Sequence, residues 1–262
     1  MIVFRHELRQ GRTALILWAA IIAAMIGLCI LIYPEMAKQM GELGGAFADM
    51  GGFSAAFGMD KINFGEFLGF FGVECGNILG LGGAFFAALL GSTALAKEEK
   101  EHTAEFLLTH PVSRFKVVLQ KLASILVQLL LLNVAAAGAT ALAVILIGEA
   151  PELKTMALLF LSYGIMQLET AAVCFGISAF LRGGGAGIGL GLAALFYFFN
   201  IAANLTENAR FLKYITPFGY TDSAGIIVDG CLPAKYLAAG LGLAATGIAA
   251  AFWQYGRKDI AS

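Results

Sequence analysis

Six apolar runs set the limits on what this chain can fold into. They lie near residues 13–33, 73–96, 117–147, 155–181, 186–205 and 235–255. Each reaches the roughly 20 residues that cross a hydrocarbon core about 30 Å thick at about 1.5 Å per residue. Lipid offers no partner to a free N–H or C=O, so runs of this length predict helices. Composition agrees. Of 262 residues 59% are apolar and 13% charged, where a soluble domain is nearer half apolar with about twice the charge. The expectation is an all-α integral membrane protein with six transmembrane helices in one domain over residues 1–262. The boundary between the fourth and fifth runs is the least well marked, by Arg182 and glycines alone.

Charge placement orients the spans. With six spans and the N-terminus inside, eleven Lys and Arg fall on inner segments and six on outer ones, which by the positive-inside rule puts both termini in the cytoplasm. Residues 2–12 (IVFRHELRQGR) place Arg5, Arg9 and Arg12 at helical spacing with Phe4 and Leu8 on another face. They read either as an amphipathic helix in the headgroup layer or as the positive flank of the first span. The apolar run after Arg12 is longer than a signal h-region and no small-x-small site precedes Tyr33-Pro34, so a retained first span is expected. Two outer segments are large. In residues 34–72, Pro34 is expected to end the first span and Glu35 to Met50 to be helical. Residues 206–234, with two short amphipathic pieces around Thr216-Pro217-Phe218, are expected to re-enter the outer interface between the fifth and sixth spans.

Several chemistries find no support. A net charge of −1 gives no basic field for nucleic acid. No G-x-x-x-x-G-K-[ST], H-E-x-x-H or G-x-S-x-G occurs, so no enzymatic site and no metal is expected in this chain. Glu98-Glu99 lacks the Arg three residues on that an intramembrane glutamate protease would need; that position is His102. Met36, Met40, Met50 and Met59 are irregularly spaced with no Cys or His nearby, which argues against a copper site. Asn204-Leu205-Thr206 matches a glycosylation sequon, a pattern common by chance. Cys29 and Cys174 read as small buried hydrophobes; Cys75 and Cys231 are not expected to pair.

Two intramembrane features invite a role. Gly183, Gly187 and Gly191 recur at i, i+4, i+8, with Gly185 and Gly189 in a second register. Such a ridge lets another helix approach closely, either from a partner subunit or within the same one, and the triple glycine could also act as a hinge. Glu169, beside Gln167, sits mid-way along the fourth span, where a charge costs on the order of 3 kcal/mol. It either lines a substrate or ion path or forms a structural clamp, with Gln128, Asn133, Asn200 and Asn204 as candidate partners. The polar lining expected for a path is Glu169, Gln167, Asn200 and Asn204.

The densest charge lies in Lys97–Lys116 (KEEKEHTAEFLLTHPVSRFK), between the second and third spans. Glu98 to Leu108 can form a short helix with Ala104, Leu107 and Leu108 on one side. Pro111 stops it and Ser113 can N-cap the third span. Acid groups with a few apolar knobs suit docking into a groove on a soluble partner; the alternative is a solvated loop.

This stretch resembles the cytoplasmic signature of ABC-2 type transporter permeases. The residues that carry the likeness are Glu98-Glu99, Thr103, Glu105, Leu107-Leu108 and Pro111-Val112-Ser113-Arg114, with His102 where the family usually has glycine. Leu212 to Phe218 resembles the family's Ser-Pro-Phe segment, with Thr216 for Ser, and Ala56-Phe57-Gly58 resembles one branch. The resemblance covers essentially the whole chain. It implies the membrane half of an ATP-driven exporter in the inner membrane of a prokaryote, with two permeases, identical or related, paired around a path. Separately encoded ATPase subunits carrying ATP and Mg²⁺ would dock at residues 97–111, with no cofactor in this chain. It also implies that the second and fifth spans face the partner. The alternatives are an ATP-independent secondary transporter or channel-like protein using Glu169, for which no inverted repeat is visible, and a membrane scaffold using the same docking helix. The substrate is not legible.

Overall fold

The computed structural model describes residues 2–48, 62–63, 65–97 and 113–257. Among them there is no strand, and six helices are long and apolar enough to cross a membrane. These are α1 (Ile2–Ala48), α2 (Phe67–Thr93), α3 (Arg114–Ile147), α4 (Leu153–Ser178), α5 (Ala186–Leu205) and α6 (Ala234–Arg257). All six expected runs are helical, and the glycine-marked boundary falls where it was placed.

Pro34 does not end its helix. α1 runs through it to Ala48, a length of about 70 Å and more than twice what a bilayer requires. Proline removes one N–H and crowds one carbonyl, which a well-packed helix tolerates. Ile30 and Tyr33 beside it are buried, and Tyr33 stacks edge-on against Phe67 at 5.3 Å. Residues 2–12 are the first three turns of this same helix.

Helix ends follow local chemistry. Ser113 accepts a hydrogen bond from the Lys116 amide at 3.4 Å and caps α3. Gly148, in the left-handed region at φ 75°, closes that helix by returning amides to Ile145 and Val144. Gly184 (φ 51°) turns the chain between α4 and α5.

Helices α2 and α4 form the centre. Over their most apolar stretches, 56% and 61% of residues are buried, against 17–22% for the other four. α1 lies along α3, α5 leans on α2, and α6 packs on α4. Residues 206–234 fold over one end as two 3₁₀ turns (Glu207–Tyr214 and Pro217–Tyr220) and a short helix (Ser223–Asp229). Their middle is not a surface loop: Pro217 to Tyr220 are all buried, and Thr216 donates to the Phe196 carbonyl at 2.8 Å.

Candidate functional site

Most of the expected docking stretch (Glu98, Glu99, Thr103, Glu105, Leu107, Leu108 and Pro111) lies outside the described residues. Its two roots are described, and both are fastened. At one root, the Lys97 ammonium donates to Gln10 and stands 3.9 Å from Glu7. At the other, Ser113 caps α3 and Arg114 donates to the carbonyls of Tyr255 (3.4 Å) and Gly256 (3.2 Å). A cation on carbonyls in the last turn of α6 is at the favourable end of that helix dipole. Two turns into α3, Lys121 is fully buried. It donates to Glu7 at 2.8 Å and to the Ala94 carbonyl at 2.7 Å. Glu7 on α1 therefore holds the helices on either side of the stretch. A lysine within the apolar run of α3, and an acid in the basic N-terminal turns, were the visible signs of this pair.

Gln167 and Glu169 stand two residues apart on α4, so they face different neighbours. Gln167 accepts from Asn133 at 2.6 Å and donates to the Leu79 carbonyl at 3.3 Å. It lies against Gly83, where any Cβ would overlap it. Glu169 points the other way, onto Gly240 of α6, whose missing side chain leaves the carboxyl its space: a Cβ there would sit 2.2 Å from Oε2. Tyr220 faces the same carboxyl, and burial first, then that carboxyl, holds its phenol above the usual range and keeps it protonated. Both Glu169 oxygens and the Tyr220 hydroxyl nevertheless lack a hydrogen bond of ordinary geometry. None of Gln128, Asn133, Asn200 or Asn204 partners Glu169, which corrects the sequence expectation. Periodicity fixes which residues share a helix, whereas here the neighbours were decided by α6 and the 3₁₀ turn, both far along the chain.

Asn200 and Asn204 come together elsewhere. They line a cavity of about 60 Å³ between α2, α5 and the outer short helix, with Asn77, Tyr163, Tyr197 and Ser223. Tyr197 donates to Asn77 at 3.1 Å, Tyr163 and Ser223 share a bond at 2.8 Å, and Ser223 donates to the Gly72 carbonyl at 2.6 Å. Gly72 belongs to a π-helical stretch, Phe71–Cys75. One extra residue per turn leaves carbonyls that side chains must satisfy, and Ser223 does so. The four polar path residues thus divide into three places: Gln167 toward α2 and α3, Glu169 toward α6, and the two asparagines in a space that holds a few waters at most.

The glycine ridge is split. Gly183 precedes α5 instead of extending it, because the turn at Gly184 and Gly185 starts the helix only at Ala186. Gly187 and Gly191 are exposed with nothing within 4 Å of a would-be Cβ, whereas Gly185 and Gly189 are buried against Ser92 and Ala88 of α2. One register serves this subunit and the other is open.

Among the described residues no cluster of His, Cys, Asp or Glu has the makings of a metal site. All four cysteines are free thiols.

A family model described as ABC-2 family transporter protein matches residues 1–260. The chain belongs to the ABC-2 transporter family. No curated protein matches it. As an ABC-2 family member with six apolar helices it is a multi-pass membrane protein and a permease component of an ABC transporter. The fastened roots at Lys97 and Arg114 border the stretch that carries the family-like motif, and the open register of α5 lies on one of the two spans for which the resemblance implies a partner.

Proposed function

We propose that this ABC-2 permease is the membrane half of an exporter driven by separately encoded ATPase subunits docked at residues 97–111, with both termini in the cytoplasm of a prokaryotic cell. The observation that carries the reading is the anchoring of that stretch. Its roots are tied by Lys97 to Gln10 and Glu7, and by Arg114 to the end of α6. A push on the stretch is then felt by α1 and α6, two helices at the edge of the bundle. ATP and Mg²⁺ belong to the partner, and this chain binds and orients. The outer segment 206–234, with Pro217 to Tyr220 sunk into the bundle, is the re-entrant closure of the far side.

The second permease, identical or related, pairs through the open face of α5. Gly187 and Gly191 give it a flat approach, and Ile188, Leu195 and Phe198, at 45–64% exposure, give it apolar area. Gly191→Cys is expected to give a cross-linked dimer in membranes, and Leu142→Cys on the exposed face of α3 is not. Docking is tested by purification with the ATPase: Leu107→Asp with Leu108→Asp should release it while insertion is unchanged.

One observation favours a second reading, an ATP-independent transporter using Glu169: its two buried oxygens lack a hydrogen bond of ordinary geometry. Transport into vesicles holding this chain without any ATPase would support that reading; its absence supports the exporter.

A further inference from the structure

A cavity of about 260 Å³ lies between α1, α2 and α3, at the end of the bundle that carries the N-terminus. Its lining changes with depth. At the mouth stand Lys97, Glu7 and Gln10, with Lys121 buried behind them. Deeper, the walls are Trp18, Phe86, Leu89, Leu90 and Ile125, with the Trp18 and Phe86 rings 6.0 Å apart. One turn beyond Ile125 is Gln128, seven residues past Lys121 and so about 10 Å further along α3. It is 3% exposed, its Nε2 donates to Ser124 at 3.3 Å, and its Oε1 lines the cavity without a partner.

We infer that this cavity binds an anionic phospholipid of the surrounding leaflet, with one acyl chain between Trp18, Phe86 and Leu90 and the phosphate at Lys97. The inference goes beyond the exporter reading and rests only on its placement of the N-terminus in the cytoplasm. An apolar depth under a polar mouth fits an amphiphile, and the space, just under the roughly 300–1,000 Å³ of small-molecule pockets, admits one chain and no bulky solute. Among the described residues the lining carries two ammonium groups and one carboxylate, and Arg5, Arg9 and Arg12 stand exposed on the same turns of α1. Basic pockets between spans at the cytoplasmic side are the usual seats of anionic headgroups. Lys97, held by Gln10 and paired loosely with Glu7, still has donors to offer a phosphate. Its side chain is 24% exposed, one of its three donors goes to Gln10, and Glu7 is beyond hydrogen-bond distance. Lys121 is fully buried behind it and holds Glu7 in place.

Native mass spectrometry of the delipidated full chain, titrated with phosphatidylglycerol or phosphatidylcholine of matched chains, tests this. One saturable phosphatidylglycerol adduct is expected, at least ten-fold preferred over phosphatidylcholine. Leu90→Trp fills the cavity and should lower that adduct ten-fold or more. Ala14→Phe, from an exposed position on α1, is a second filler should Leu90→Trp fail to fold. Lys97→Gln should keep a lipid adduct and bring the preference near one. The proposal is overturned by the absence of a saturable adduct on the wild-type chain, by undiminished binding in folded filler variants, or by an unchanged preference in Lys97→Gln. Equal competition by glycerol phosphate alone would also overturn it, since that marks a soluble-phosphate site.

Discussion

Lys121 and Glu169 are equally buried, at 0% and 1% exposure, yet the bundle treats them in opposite ways. Lys121 has a carboxylate at 2.8 Å and a carbonyl at 2.7 Å. Glu169 has a glycine to make room for it and a phenol turned toward it without the geometry of an ordinary hydrogen bond. A buried charge with full partners is a fixture: it holds helices in register and is costly to disturb from one side only. A buried carboxyl with only a poorly aligned partner adds little to the fold. The first site lies beside Lys97, the last described residue before the motif-bearing stretch. The second lies where the outer segment enters the bundle.

Breaking the first site should have the largest effect. Glu7→Ala leaves Lys121 buried without its carboxylate and is expected to cost about 3–5 kcal/mol, read as a lower unfolding midpoint in detergent. Lys121→Met added to Glu7→Ala should restore most of that loss. If the single variant melts like wild type, Lys121 is not held as described. Crowding the second site should cost less. Gly240→Ala drives a methyl into the carboxyl, at about 1–3 kcal/mol, and the loss should shrink in a Glu169→Ala background. Equal losses in both backgrounds would show that Gly240 serves some other contact. Arg114→Gln removes a cation from the end of α6 and is expected to cost about 0.3–1 kcal/mol, seen as faster amide exchange confined to Phe252–Arg257. The smallest stability effect belongs to Glu169→Gln. With only the poorly aligned Tyr220 contact to lose, it should change the midpoint by less than about 1 kcal/mol; a change in transport beside that small loss would give Glu169 a role beyond packing. A large destabilisation would make Glu169 a structural clamp and remove the contrast with Lys121.

The spans were legible because length and hydropathy are local properties: all six runs are helices, and α5 begins and ends where the sequence placed it. Local chemistry also carried the Ser113 cap. Pro34 was misread because its cost as a helix breaker is set by surroundings that the sequence does not show, here Tyr33 packed against Phe67. The glycine ridge was half legible. Its i, i+4 spacing was right for Gly187 and Gly191, but which register faces inward depends on Ser92 of another helix. Glu169 was marked as anomalous by a charge in an apolar run, but its neighbours were not, since Gly240 and Tyr220 reach it only through tertiary packing. The Glu7–Lys121 pair could have been found by the same test, one unmatched charge in each of two segments.

The central claim is that energy enters this permease through residues 97–111. The direct measurement is ATP hydrolysis by the cognate ATPase, purified with and without this chain, alongside the Leu107→Asp, Leu108→Asp double variant. Hydrolysis that rises with the wild-type chain and falls to the ATPase-alone level with the variant, still inserted, is the expected result. An ATPase that stays bound and stimulated by the variant would contradict it.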